Sequence, residues 1–321
     1  LLGKSGFDER HPLSVGAGGY SMTAMAAEAL QESDVLFAVG ASLVRDFTAP
    51  PIPAGKTIVH STIDPSDFHV HYPARVTVLG DARLVLRDLV AELRRRGLRR
   101  GERRASVEKK VAAGKAAWRK RWRPLLESRA TPIDPYRVIG DFMAAFDPDE
   151  TIVTHESGSS RDMLVPLYEA TTPRGYLGWG RSTQLGFSLG AAMGAKVARP
   201  EKTVVNFMGD AAFGMVGLDL ETAVRERIPI LTVLLNNSAM ANYEQYIPIS
   251  VERYGTKKLS GRYAEVATAL GAHAERIERP DELRPAFERA RETLDRGQPV
   301  LLEVISAEQP DVPYWRTFGL R

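Results

Sequence analysis

Short apolar and β-branched runs recur along the chain and are separated by amphipathic segments. In its first stretch this pattern predicts one helix and three strands, at residues 23–31, 35–39, 57–63 and 76–79. The runs end in Gly or Asp, as buried parallel strands do at their carboxyl ends, and these residues are Gly40, Asp64, Gly80 and Asp81. The pattern therefore predicts α/β alternation around a parallel sheet.

The same alternation returns in the second half of the chain. It predicts strands at 151–154, 203–208, 231–235 and 300–305, and helices at 185–197, 218–227 and 280–296. An open α/β sheet usually has about five or six strands. We therefore expect the first stretch to be part of a domain that continues upstream of Leu1. The expected fold class is α/β, with two doubly wound parallel-sheet domains, the first partial and the second complete.

Basic residues are concentrated between these two stretches. Residues 94–123 contain 14 Lys or Arg and two Glu, a local net charge of +12, whereas the whole chain carries +3. Trp118 and Trp122 lie four residues apart, as on one face of a helix. We interpret residues 94–131 as an interdomain linker whose tryptophans dock on a neighbouring domain, rather than as a nucleic-acid site. Binding to an anionic partner remains the alternative.

Composition and missing motifs exclude several kinds of chemistry. The chain has no cysteine, which excludes disulfides, thiolate nucleophiles and cysteine-ligated zinc. It has no run of 18 apolar residues and no signal-peptide pattern, so we predict no membrane span and a cytoplasmic location. Neither a Walker Gly-x4-Gly-Lys-Ser/Thr nor a Rossmann Gly-x-Gly-x2-Gly sequence is present, which disfavours P-loop and NAD enzymes.

Two predicted strands of the second half end in polar residues that suit a metal. Asp210 follows one strand and Asn237 follows the next. Because parallel strands emerge on one edge of their sheet, both side chains can offer oxygens to one hard cation such as Mg²⁺. Gly209 lets the backbone approach an anion closely, and the following helix directs amide donors toward it.

The spacing of these residues resembles a known cofactor motif. Gly209-Asp210-Ala211, then 24 residues, then Asn236-Asn237 is similar to the thiamin diphosphate motif of the superfamily that contains acetolactate synthase, benzoylformate decarboxylase and pyruvate decarboxylase. Residues 11–13 (His-Pro-Leu) and 63–65 (Ile-Asp-Pro) resemble the central domain of that family. The resemblance implies a central-domain part at 1–93, the linker at 94–131, and a diphosphate-binding domain with a C-terminal tail at 132–321.

The resemblance also implies the residues of the cofactor site. Asp210 and Asn237 would ligate Mg²⁺ together with the backbone carbonyl of Ala239. Leu185 would be the bulky apolar buttress that bends the cofactor, and the Thr183 carbonyl would accept a hydrogen bond from its amino group. The remaining contacts would come from a serine-rich loop and from the strand ends, namely Glu156, Ser157, Gly158, Ser159, Ser160, Gly209, Ala211, Ala212 and Met240.

Some of these positions have plain structural alternatives or depart from the family pattern. Loop 156–160 could be an ordinary helix cap, and Leu185 could be a core residue. Ala211 replaces the usual Gly, which is tolerable where φ is negative. The family places its cofactor-activating glutamate on a pyrimidine-binding domain, which we expect upstream or on a partner chain. Residues 40–46 give no convincing flavin pattern, so FAD is not predicted.

The resemblance implies a thiamin diphosphate- and Mg²⁺-dependent decarboxylase or carboligase, acting on a 2-keto acid or 2-hydroxyacyl substrate. We expect a homo-oligomer, either a dimer or a tetramer, and no nucleic-acid or membrane partner. His155 could face the substrate. Further candidates to line the pocket, with simple packing as the alternative, are Trp179, Met240, Asn242, Tyr243 and Tyr246.

Two other readings of the sequence compete with this one. Residues 186–190 match the Gly-x-Ser-x-Gly elbow of serine hydrolases, with Ser188 as nucleophile and His273 as base. An elbow needs a strand immediately before the serine, whereas a helix is predicted through Ser188. The second alternative is a non-catalytic scaffold or regulatory subunit of the same fold.

Overall fold

The computed structural model describes residues 3–46, 49–98, 101, 103–178 and 184–320. In these residues the strands form two sheets, each with parallel pairing only. The N-terminal sheet consists of β1 (Val35–Val39), β2 (Thr57–Thr62) and β3 (Val76–Leu79). The C-terminal sheet consists of β4 (Thr151–His155), β5 (Tyr176–Leu177), β6 (Thr203–Gly209), β7 (Leu231–Asn236), β8 (His273–Ile277) and β9 (Val300–Ile305). The predicted α/β class is confirmed.

Helices alternate with the strands along the chain. They are α1 (Ala24–Glu32), α2 (Ala82–Arg95), α3 (Arg104–Leu126), α4 (Pro135–Ala145), α5 (Ser159–Leu164), α6 (Phe187–Ala198), α7 (Asp210–Val216), α8 (Leu220–Arg225), α9 (Tyr243–Tyr246), α10 (Pro248–Tyr254), α11 (Tyr263–Ala269) and α12 (Leu283–Asp295). Short 3₁₀ turns lie at Pro65–Asp67, Gly217–Asp219, Pro280–Glu282 and Trp315–Phe318. Within the described ranges, none of the helices combines the length and hydropathy that a bilayer crossing requires.

The C-terminal sheet is covered on both faces. Its strands lie in the order β5-β4-β6-β7-β9-β8. Residues alternate between two cores along each strand: Val205 and Phe207 pack with α4 and α12, whereas Val204 and Met208 pack with α6 and α8. This alternation follows from the pleat, which directs successive side chains to opposite faces. The strands are therefore apolar on both faces, as the sequence pattern indicates.

Strand order places a crevice at one point of this sheet. The chain runs from β4 outward to β5 and then returns to the other side of β4 to form β6. The connections after β4 and β6 thus diverge at their carboxyl ends. In open α/β sheets ligands bind at such a switch point, because the diverging loops leave space between them.

The basic segment between the sheets contains α3. Trp118 and Trp122 are buried in the C-terminal core, and their ring centroids lie 5.4 Å apart. Trp118 Nε1 donates to the Pro166 carbonyl at 3.2 Å, and the Trp122 ring lies 4.8 Å from that of Tyr136. The two tryptophans therefore anchor α3 on this core through its apolar face.

Several elements differ from the sequence expectation. β5 has only two residues, and β8 is an edge strand whose residues are mostly half-exposed, so neither has a strong apolar run. The helix expected from residue 185 begins at Phe187, because Gly186 adopts a left-handed φ of 98°. The predicted segment 218–227 divides into a 3₁₀ turn and α8.

Candidate active site

A cavity of about 440 Å³ lies at the switch point, where loops after β4, β6, β7 and β9 converge. Most residues predicted for the cofactor site line it. They are Ser157, Gly158, Ser159, Ser160, Leu185, Gly209, Asp210, Ala211, Ala212, Asn237, Ala239 and Met240. The fold therefore brings these positions, spread over more than 80 residues of sequence, to one cavity. Their individual roles remain predictions.

Asp210 is the buried acid of this cavity. It begins α7 directly after β6, and the residue is only 2% exposed. Its Oδ1 accepts from the Ala211 amide at 2.8 Å, whereas Oδ2 is buried and makes no hydrogen bond. Burial raises the pKa of this carboxyl, and the nearby amides of Ala211, Ser238 and Ala239 oppose that rise. A cation beside Oδ2 would satisfy this oxygen and lower the pKa.

The loop after β7 lies beside Asp210. β6 and β7 are paired neighbours with Gly209 opposite Leu235, so their ends emerge together. Asn237 Oδ1 accepts from the Ala239 amide at 3.1 Å, which holds the loop in a tight turn while leaving that oxygen a second lone pair. Ser238 occupies the left-handed region with φ of 55°. The two predicted metal ligands therefore lie on adjacent strand ends of one sheet edge.

The donor set suits magnesium better than a metal held by protein side chains alone. Among the residues with described positions, no group of three or more His, Asp or Glu side chains is placed to hold a metal. One carboxylate, one carboxamide and one backbone carbonyl are enough for Mg²⁺, because this ion takes its remaining ligands from phosphate oxygens and water.

The loop after β4 forms another wall of the cavity. Gly158 has a φ of 92° and ψ of −152°, a conformation that L side chains avoid, and α5 begins at the next residue. Ser159 and Ser160 therefore reach the cavity as the first residues of a helix. Their hydroxyl and amide groups are suitable donors to an anion.

Glu156 has a different position from the rest of this loop. It is fully buried but does not line the cavity. Its carboxylate accepts from the amides of Gly186 and Ser188 at 3.0 and 2.7 Å, and from the Ser188 hydroxyl at 2.6 Å. Glu156 therefore holds the start of α6 and is not among the residues that line the cavity.

The Glu156 contact also fixes the position of Leu185. A Cβ at Gly186 would lie 2.6 Å from Val216 Cγ1, so α6 can begin this close to α7 only with glycine there. Leu185, which precedes that glycine, lines the cavity and packs against the core beneath it. Thr183 and Trp179 lie outside the described residues.

Two sequence hypotheses are not supported by the geometry. Ser188 is fully buried within α6 and donates to Glu156, whereas His273 lies on the edge strand β8 and contacts Glu275 at 3.1 Å. A serine nucleophile with a histidine base is therefore not assembled. His155 does not face the cavity either: its ring is buried 5.1 Å from that of Tyr176, and burial lowers its pKa to about 4.

Sequence reasoning missed several residues that line the cavity. The missed residues are Tyr20, Arg161, Asp162, Gln309 and Tyr314, and the cavity is also lined by the predicted Asn242, Tyr243 and Tyr246. Tyr20 comes from the first stretch of the chain and Tyr314 from its last residues. An isolated bridge between Ser21 and Tyr314 brings the two segments together. Because these residues are far apart in the chain, no local sequence pattern predicts their contact.

Comparison with known proteins agrees with the motif and the fold. Residues 156–304 match the family "Thiamine pyrophosphate enzyme, C-terminal TPP binding domain", and residues 1–89 match "Thiamine pyrophosphate enzyme, central domain". Thiamine pyrophosphate is thiamin diphosphate under its older name. The first match begins directly after β4 and includes most of the C-terminal sheet, and the second includes the N-terminal sheet.

Similar proteins include acetolactate synthase subunits. A probable acetolactate synthase large subunit of Methanocaldococcus jannaschii is 29% identical over 95% of this chain and 52% of its own length. A putative thiamine pyrophosphate-containing protein YdaP of Bacillus subtilis is 28% identical (99% and 54%), and the acetolactate synthase large subunit of Corynebacterium glutamicum is 29% identical (97% and 50%). The chain thus spans about half the length of these relatives. The family matches show that this chain belongs to the thiamin diphosphate-dependent enzyme superfamily.

Proposed function

We propose that this chain provides the Mg²⁺- and diphosphate-binding half of an acetolactate synthase-like enzyme. The enzyme would cleave or form a C–C bond beside the carbonyl of a 2-keto acid or 2-hydroxyacyl substrate, as a lyase or a transferase. The observation that carries this proposal is the buried Asp210 Oδ2, which has no hydrogen bond and belongs to the cavity that Asn237 and the serine loop also line. A buried carboxylate oxygen of this kind is costly unless a cation or donor satisfies it.

The residues present fit the expected cofactor. Asp210, Asn237 and the Ala239 carbonyl would hold Mg²⁺, and the hydroxyls of Ser159 and Ser160 would donate to the diphosphate. The backbone from Gly209 to Ala212 would approach the same group closely. Leu185 would supply an apolar contact to the remainder of the cofactor. When bound, thiamin diphosphate supplies the carbon nucleophile and the electron sink that this chemistry requires.

A second protein segment is part of the proposal. We expect the cofactor-activating glutamate on a pyrimidine-binding domain, either upstream in the same polypeptide or on a partner chain, and a homo-oligomeric enzyme. This chain spans about half the length of the relatives that it matches. The role of the present chain would then be to bind the diphosphate and orient the cofactor toward that glutamate.

Calorimetric titration of the full-length protein with thiamin diphosphate tests this function. We expect saturable binding in Mg²⁺ that weakens at least tenfold when EDTA removes the metal, because the ion neutralises the diphosphate at Asp210. A screen with pyruvate, benzoylformate and 2-hydroxyacyl-CoA would then identify the reaction. Absence of metal-dependent binding would overturn the proposal, and binding without turnover of any substrate would favour the non-catalytic alternative.

A further inference from the structure

The cavity is also lined by aromatic side chains, whose chemistry differs from that of the residues at the strand ends. Three tyrosines, Tyr20, Tyr246 and Tyr314, line it and are called the tyrosine cluster below. The hydroxyl oxygens of Tyr20 and Tyr246 lie 3.4 Å apart, within hydrogen-bonding distance. The rings of Tyr20 and Tyr314 have centroids 4.8 Å apart. The cluster thus presents aromatic faces and phenol groups to one region of the cavity.

The cluster is held by backbone pairing between distant segments. Ser21 and Tyr314 form an antiparallel bridge, the Met22 amide donates to the Pro313 carbonyl at 2.9 Å, and the Trp315 amide donates to the Tyr20 carbonyl at 3.0 Å. Tyr20 and Tyr314 therefore have a fixed separation. Tyr246 lies on the short helix α9 and is 65% exposed, so it forms the rim of the cavity.

A buried ion pair lies near the cluster. Arg161 Nε lies 2.5 Å from Asp162 Oδ1, and both side chains are almost fully buried. The Arg161 guanidinium also lies 5.6 Å from the centre of the Tyr20 ring. A second carboxylate on a ligand would meet a guanidinium whose charge Asp162 already neutralises, and it would be repelled by Asp162 itself.

The phenols of Tyr20 and Tyr314 are neutral donors. Burial, followed by the contact with Tyr246, raises the pKa of Tyr20 to about 12, and burial also raises the pKa of Tyr314. Both groups are therefore protonated at neutral pH. Uncharged aromatic walls favour apolar or aromatic groups, which gain from the burial of their surface and from ring contacts.

We propose that the tyrosine cluster binds the acyl group of the substrate and selects 2-keto acids with a bulky, uncharged acyl group. This inference rests on the proposed function. It favours aromatic or large aliphatic acyl groups over a methyl group, which would leave the tyrosine walls uncovered. It also disfavours acyl groups that carry a second carboxylate, since Asp162 lines the same cavity.

Acylphosphonate esters test this proposal without turnover, because the phosphonate that replaces the carboxylate cannot leave as CO₂. Methyl benzoylphosphonate, methyl acetylphosphonate and methyl succinylphosphonate would be titrated calorimetrically into the full-length protein loaded with thiamin diphosphate and Mg²⁺. We expect the benzoyl compound to bind at least tenfold more tightly than the other two. Tyr246→Ala should remove most of this preference, whereas Tyr246→Phe should retain it because the ring remains.

The controls separate this inference from the proposed function. Tyr254→Ala removes a tyrosine that is 76% exposed and does not line the cavity, so it should bind all three probes as the wild type does. Failure of the wild type to bind thiamin diphosphate would contradict the proposed function, and the inference with it. Normal cofactor binding with equal affinity for the three probes, or an equal loss for all three in Tyr246→Ala, would overturn the inference alone.

Discussion

The two sheets of this protein follow the same sequence pattern but have different surroundings. All residues of β7, in the C-terminal sheet, are buried. In the N-terminal sheet, three of the four residues of β3 are exposed, and α2 has no buried residue although its apolar side chains lie on one face. A periodic pattern of apolar residues therefore predicts where a strand or helix forms, but it does not show which part of the protein covers that element.

The acids at the strand ends show the same difference. Asp81 follows β3 and Asp210 follows β6, and each begins a helix. Asp81 is exposed and accepts from the amides of Arg83 and Leu84 at 3.0 and 3.1 Å, as an ordinary N-cap. Asp210 is buried with one oxygen unsatisfied. One local signal thus produces a helix cap at one sheet and a candidate metal ligand at the other.

The largest expected effect is on stability, in a matched pair of leucine substitutions. Leu234→Ala in β7 removes a fully buried side chain and should lower the free energy of unfolding by about 3 kcal/mol. Leu79→Ala in β3 removes a side chain that is 60% exposed and should change it by less than about 0.5 kcal/mol. Urea denaturation would measure both. A large loss in Leu79→Ala would show that another part of the protein covers the N-terminal sheet.

Substitution of Asp210 and Asp81 tests the same comparison at the level of cofactor binding. Asp210→Ala should weaken the binding of thiamin diphosphate in Mg²⁺ by roughly 100-fold, because the proposed metal loses its only carboxylate ligand. Asp81→Ala should leave that affinity unchanged and lower the free energy of unfolding by about 1 kcal/mol through loss of the cap. Titration calorimetry and urea denaturation distinguish the two roles. Equal cofactor affinity in both variants would contradict the assignment of Asp210.

The pH dependence of stability tests the burial of His155, the last residue of β4. Burial lowers the pKa of His155 to about 4, from an ordinary value of 6.5. Below pH 6.5 His155 takes up a proton in the unfolded chain but not in the folded protein. The free energy of unfolding is therefore unaffected by this residue above pH 6.5 and decreases as the pH falls toward 4. The expected loss at pH 5 is about 2 kcal/mol.

Urea denaturation of the wild type and two histidine variants at pH 7 and pH 5 measures this effect. His155→Gln should lose most of the pH dependence, whatever its stability at pH 7, because glutamine does not titrate. His71→Gln changes an exposed histidine and should retain the dependence of the wild type. If the free energy of unfolding of His155→Gln depends on pH as strongly as that of the wild type, groups other than His155 cause the effect.

Much of the fold was predictable because its information is local. The run that forms β9 and the runs at β1 and β3 were predicted with the bounds that the structure shows. Several other strands extend one residue beyond the prediction, because polar residues such as Asn236 continue the pairing where the apolar run has ended. Ala211, which departs from the family pattern, suits the backbone at this position, since it lies in α7 with a negative φ.

The sequence by itself determined the α/β alternation, the family resemblance and the strand ends that carry Asp210 and Asn237, because each of these depends on residues close together in the chain. Tertiary structure alone decided that Glu156 holds α6 instead of lining the cavity. It also decided that Tyr20 meets Tyr246, 226 positions away. Such contacts depend on how separate elements pack and on which groups that packing removes from water, and no local period of apolar and polar residues contains this information.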